Sequence, residues 1–304
     1  MTKARELLDE ADRVFKSREY AESRDIYQKT ADACDQDDPA DAEVYVEALA
    51  QIARSHLVTG EKEEGRSWIA KVAQLVDGET QPRGWARYLG VRGRFEWKND
   101  ENETATQTFN EMYDYCVERE LHDFAVDAAH MAAITAPSTD QIEWAHKGIA
   151  AAEAGNLTGW LGPLWNNLGW THDEMGNHAE ALKALTEARK YHYQSERDIP
   201  KLVADYSVGV QYRKLGQLDE ALRWLKPAME WAERLYAGKP TPVHAEWFGW
   251  THKEMGELSL QQGDSSAEGK SHFETAVSKL REANMPEWDA DGFAELEKRL
   301  AELK

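Results

Sequence analysis

The chain has 304 residues, 41% of them hydrophobic and 30% charged, with a net charge of −20. That apolar share supports a packed core, while the acidic balance argues against nucleic acid or an anionic membrane as partner, since both demand clustered basic surface. The two cysteines, Cys34 and Cys116, belong to no CxxC or Cys/His cluster, no stretch approaches the roughly 18 apolar residues of a membrane span, and MTKARELLDEADR lacks the apolar centre of a signal peptide; reduced, buried thiols and a cytoplasmic location are expected.

Ala, Glu, Leu, Lys and Arg dominate and β-branched runs are scarce, so the chain reads as helical from its first residues. A small residue recurs about every forty positions, at Ala11, Ala53, Gly93, Ala133, Gly169, Gly209 and Gly249. The repetition is plainest where GWTHDEMG (169–176) returns as GWTHKEMG (249–256), with GVQYRKLG (209–216) midway. Twelve residues after the first six small positions comes another small one (Ser23, Gly65, Ala105, Ala145, Ala181, Ala221), and four residues later a bulky one (Tyr27, Ile69, Phe109, Ile149, Leu185, Leu225). A small residue facing a bulky one lets two helices approach closely, so each period reads as an interlocked antiparallel pair. The seventh unit fits if eight residues are inserted after Gly256, with Gly269 and Phe273 in the small and bulky roles.

Turn formers separate the two helices of each unit at Gly60, Asp100, Asp140, Gly176, Gly216 and Gly263; Arg18 alone breaks the rule. Pro39, Pro82, Pro163, Pro200 and Pro240 are expected ahead of the next first helix, and Pro227 inside a second helix, where it should kink it. The pairs are predicted near 4–37, 46–79, 86–119, 126–159, 162–195, 202–235 and 242–283, one solenoid over 1–285. Residues 286–304 then form a C-terminal capping helix with Phe293, Leu296 and Leu300 on one face.

The stretch WNNLGWTHDEMGNHAEALKALTEA (165–188) resembles a tetratricopeptide repeat through Trp165, Leu168, Gly169, Gly176, Ala181, Leu185 and Ala188. The sixth unit is similar through Gly209, Tyr212, Gly216, Ala221, Leu225 and Ala228. The period exceeds the family's common ~34 residues and is more like the longer units of kinesin light chain. The resemblance extends over roughly 4–283. It implies an all-α, right-handed α-α superhelix of about seven helix pairs whose first helices line a concave groove.

In that family ligands lie against the first helices. The resemblance therefore places a partner-binding groove at Arg54, Arg87, Arg94, Trp97, His130, Asn166, Trp170, Asp173, Tyr206, Arg213, Trp250 and Lys253. Arg5, Asp12, Phe15, Glu47, Asp127 and Glu246 fall in the same register. The arginines suit carboxylates, the aromatics suit apolar groups, and Asn166, beside Trp170, suits a peptide backbone. The lysine–asparagine–arginine clamp of the family's chaperone-binding members is not recognisable, since Leu8 and Asp12 hold its first positions.

No HExxH, GxGxxG, Walker or GxSxG motif is present. His56, His172 and His252 share one repeat position, which favours packing over metal ligation. The expectation is a protein–protein or protein–peptide interaction scaffold with no catalytic residue, metal or cofactor, monomeric or homodimeric. A peptide-responsive regulator and an α/α helical-repeat enzyme are the alternatives.

Overall fold

The computed structural model describes residues 2–35, 37–263 and 266–303. Among these are sixteen helices and no strand. Two compact units are present, Met1–Trp160 and Leu161–Lys304. The first holds α1 (Lys3–Lys16), α2 (Tyr20–Ala33), α3 (Pro39–Val58), α4 (Lys62–Val72), α5 (Pro82–Lys98), α6 (Asn102–Glu118), α7 (His122–Thr135) and α8 (Ser138–Ala154). The division falls within α9 (Thr158–Glu174). The second unit continues with α10 (His178–His192), α11 (Asp198–Lys214), α12 (Leu218–Gly238), α13 (Pro242–Gln262), α14 (Ser266–Glu282), α15 (Met285–Trp288) and α16 (Ala290–Glu302). The chain is thus an all-α helical-repeat protein.

Local chemistry sets where helices begin. The side chains of Thr2, Asp38, Thr241 and Asp289 accept backbone hydrogen bonds at the starts of α1, α3, α13 and α16, and Pro39, Pro82 and Pro242 occupy opening positions, where no amide hydrogen is needed. Pro163 and Pro200 are placed differently from expectation. Pro163 lies inside α9 and Pro200 in the first turn of α11, because those helices begin earlier than the junction prolines suggested. Helix α12 runs through Pro227.

The interlocking of small and bulky residues is direct. A Cβ added to Gly93 would lie 2.7 Å from the Phe109 ring, and one on Gly169 or Gly209 would meet Leu185 at 2.5 Å or Leu225 at 2.7 Å. Gly65 performs the same task towards the next unit, with the Phe95 ring 2.6 Å from its absent Cβ. The seventh pair departs from the expected register. Helix α13 continues past Gly256 for six residues, so Gly256, a turn residue elsewhere, becomes the helical seat for Phe273 (2.9 Å), and Gly249 faces Leu280 (2.5 Å). Gly269 instead faces Leu260.

The turn seven residues beyond each small position takes a left-handed backbone at Gly60, Asp100, Gly176 and Gly216, and the lengthened α13 ends the same way at Gly263. Arg18 does so too, with φ of 68°, although nothing in its side chain advertises a turn. Asp140 does not: it lies in the first turn of α8, and Ala136 and Pro137 make that connection. At the C-terminal end Phe293 and Leu296 are buried in a cluster with Phe273, Leu280 and Met285.

Two measurements test this packing. Gly169→Ala should destabilise by about 1–3 kcal/mol through overpacking, despite the ~1 kcal/mol that alanine gains in a helix interior. In a double-mutant cycle with Leu185→Ala by urea unfolding, additive effects would show that the two residues do not meet. Arg18→Gly should raise stability by up to about 1 kcal/mol by relieving the left-handed backbone, and a loss would contradict it.

Candidate binding faces on the first helices

In the first unit, the candidate residues of α1, α3, α5 and α7 converge. Along one register the charges alternate as Arg5, Glu47, Arg87 and Asp127, each from the next first helix. Arg5 pairs with Glu47 at 2.8 Å, Arg87 reaches Glu47 at 3.4 Å and Asp12 at 3.1 Å, and Arg94 holds Asp127 at 2.6 Å. The Asp12 carboxylate also accepts from Tyr27 (2.6 Å) and Gln51 (2.8 Å). Burial alone would raise the pKa values of Asp12 and Asp127. The guanidinium of Arg87 in one case and of Arg94 in the other, with the hydrogen bonds, holds both below the ordinary carboxylate range.

Arg54 differs from its neighbours. Its guanidinium carbon stands 4.9 Å from the centre of the Phe15 ring, and its buried Nε has no hydrogen-bond partner among the described residues. Burial, and then the Arg94 charge, push its pKa down to about 10. His130 lies 6.2 Å from the Trp160 ring, and burial lowers its pKa against the pull of Asp127. Trp97 is half-buried, with the Lys98 ammonium 4.1 Å from its ring centre.

In the second unit, the charged candidates are engaged with the following repeat. Asp173 receives Lys214 at 2.6 Å, and Arg213 pairs with Glu254 at 2.7 Å, both 41 residues apart. Lys253 reaches the same Glu254 at 2.6 Å. Burial opposes ionisation of Asp173 and Glu254, but these cations keep both carboxyls below their usual range. The aromatic candidates lie nearby in sequence register. Trp170 and Trp250 are half-buried against the core cluster, and Tyr206 is buried, edge-on to Trp247 at 5.6 Å. Asn166, four residues before Trp170, has a buried Oδ1 with no hydrogen-bond partner among the described residues.

Several participants lie outside the register that the resemblance assigned to the groove. The Glu43 carboxylate accepts the Arg83 backbone N–H at 2.7 Å, and the Arg83 guanidinium reaches Asp123 at 3.0 Å. Their exact forty-residue spacing with alternating sign was the available signal. Gln51, Tyr27 and Trp247 carry no such mark, being ordinary core-compatible residues.

The family model of the tetratricopeptide repeat matches residues 162–190. No curated protein matches the chain. Among solved structures, a Signal Transduction ATPase with Numerous Domains protein with a tetratricopeptide repeat sensor, from Pyrococcus horikoshii, aligns with TM-score 0.71 and 11% identity, over 98% of this chain and 44% of its own. This chain therefore spans less than half the length of that protein. The apo form of RapI aligns with TM-score 0.60 and 10% identity, over 98% of this chain and 85% of its own. The C-terminal part of a tetratricopeptide repeat-containing protein from Cytophaga hutchinsonii gives 0.54 and 11%, over 95% and 98%.

The depressed carboxylates fix a pH dependence. A carboxylate that titrates lower in the fold than in the unfolded chain stabilises above about pH 4, and that stability is lost as pH falls through its folded value. Unfolding followed by circular dichroism should therefore show stability falling below about pH 4. Arg94→Met, which frees Asp127 to titrate upwards, should move the acid midpoint to higher pH; an unmoved midpoint would mean the pair contributes nothing.

Proposed function

We propose that this chain, which has the fold of tetratricopeptide-repeat proteins, is an interaction scaffold that holds an extended peptide segment against its first helices. The observation that carries this is the buried Asn166 Oδ1 without a hydrogen-bond partner among the described residues, one helical turn before the half-buried Trp170. A buried amide oxygen without a partner is costly, and a peptide N–H arriving beside an aromatic ring completes it. Trp250 repeats the aromatic element two units later, with Tyr206 at the corresponding stretch of α11. Half-buried tryptophans offer large area at small entropic cost.

The proposal is of a binding protein rather than an enzyme. The charged side chains of the first helices are largely neutralised by one another across units, which holds helices in register instead of presenting an acid and a base to a substrate. The net charge of −20 repels phosphate backbones, so a protein or peptide is the partner class. Cys34 and Cys116 are free thiols, which is consistent with the cytoplasmic location expected from the sequence. Among the described residues no helix is long and apolar enough to cross a membrane.

Peptides selected from a random display library on the full chain provide the test. The double variant Trp170→Ala, Trp250→Ala should bind them at least about tenfold more weakly, the loss typical of central aromatic contacts. Asn166→Ala should weaken them less. Unchanged affinity in a variant of unchanged helical content would remove these faces from consideration.

A further inference from the structure

Trp250 borders a cavity that the chain leaves open. Helix α16 follows α14 and meets α13 much as one first helix meets the next: Arg299 reaches Glu257, 42 residues earlier, as Lys214 reaches Asp173 and Arg213 pairs with Glu254 at a spacing of 41. Between α11 and α13 the space is taken by rings, with Tyr206 edge-on to Trp247 at 5.6 Å. Helix α16 brings no ring to its side of α13, because its aromatic residue, Phe293, is turned into the cluster with Leu280 and Met285. Gly292, Glu295 and Leu296 stand there instead, and beside Trp250 they leave a cavity of about 430 Å³. That volume falls within the range of ligand pockets, roughly 300–1,000 Å³.

The chemistry of the walls selects an occupant. The lining is neutral, since Lys253, Lys298 and Arg299 stand against Glu257, Glu295 and Glu302. Lys253 is already matched by Glu254 at 2.6 Å. Arg299 is matched by Glu257, whose two oxygens accept from its Nε and Nη2 at 3.2 and 3.0 Å. A guanidinium pinned by this fork needs no further acid and presents flat faces on which rings stack; the Phe273 ring centre already lies 5.8 Å from it. Trp250 supplies a half-buried indole and Leu296 a buried apolar side chain. We propose that the cavity between α13 and α16 seats one neutral aromatic side chain of the peptide partner, lodged between the Trp250 ring and the Arg299 guanidinium. That ring does between α13 and α16 what Tyr206 and Trp247 do between α11 and α13. An acidic or basic side chain would meet like charge and opposite charge in equal number, and would lose its water without compensation. The inference deepens the scaffold reading and rests on it.

The experiment titrates the full chain, isotopically labelled for nuclear magnetic resonance, with N-acetylphenylalaninamide and reads the Leu296 methyl and Trp250 indole N–H resonances. N-acetylalaninamide, N-acetylaspartic acid α-amide and N-acetyllysinamide are the comparison compounds, at equal ionic strength. The phenylalanine probe should move both resonances saturably, show nuclear Overhauser contacts from its ring to the Leu296 methyls, and bind at least about tenfold more tightly than any comparison compound. Arg299→Lys keeps the charge but loses the flat face, and should weaken the probe by about threefold or more at unchanged helical content. Trp170→Ala, whose side chain is not a wall of the cavity, should leave the titration as it is. Equal shifts with the alanine compound or a charged one, ring contacts at another place, or an affinity indifferent to Arg299→Lys would overturn the proposal. Failure of this titration while the Trp170→Ala, Trp250→Ala variant still weakens the selected peptides leaves the scaffold reading standing without the pocket. A ring bound in the cavity while no peptide is selected would sink the scaffold reading, and with it the peptide origin of the ring.

Discussion

The whole arrangement depends on how closely two helices pass where a hydrogen stands in place of a side chain. At Gly93, Gly169 and Gly209 the opposing Phe109, Leu185 and Leu225 fill the space that a methyl group would need. Interiors packed at crystal-like density do not absorb such a mismatch. The contact therefore fixes both the separation and the axial register of these three pairs. Gly65 carries the constraint from a second helix to the next first helix through Phe95. Once register is set in both directions, residues forty apart fall beside one another, and the charge ladder follows.

That ladder is more than decoration on a packed core. Glu47 is fully buried beside Arg5 and Arg87, an environment in which an unmatched charge would be expelled or neutralised. Ion pairs of this kind add little net stability over an apolar replacement, but they penalise any shift that separates the partners. In the second unit, Asp173 with Lys214 and Arg213 with Glu254 impose the same demand between consecutive first helices.

Much of the fold was legible because it is periodic. The recurrence from Ala11 to Gly249 reflects a packing requirement met once per unit, and helix pairs followed from it. The departures have physical causes. Arg18 was unreadable as a turn because the surrounding helices impose the left-handed backbone on a residue that does not prefer it. Asp140 misled because α7 ends early, at Ala136 and Pro137, and Asp140 is equally at home near a helix start. The seventh unit shifted because six of the additional residues lengthen α13 rather than a loop, handing Phe273 to Gly256. The candidate residues were found by register, yet register alone does not tell a paired arginine from an unpaired one. Arg87 and Arg94 are ion-paired with Asp12 and Asp127 from other helices, whereas the buried Arg54 Nε has no hydrogen-bond partner among the described residues.

The alternation of sign between neighbouring units also bears on how such a chain lengthens. Glu43, Arg83 and Asp123 follow one another at intervals of forty, and in the second unit Asp173 with Lys214 and Arg213 with Glu254 pair at intervals of forty-one. Duplicating one block would set like charges side by side at a buried or half-buried seam, where repulsion is strong. GWTHDEMG and GWTHKEMG, eighty residues apart, nearly coincide, and the one position at which they differ reverses sign and changes partner: Asp173 meets Lys214 of the following repeat, whereas Lys253 meets its own neighbour Glu254.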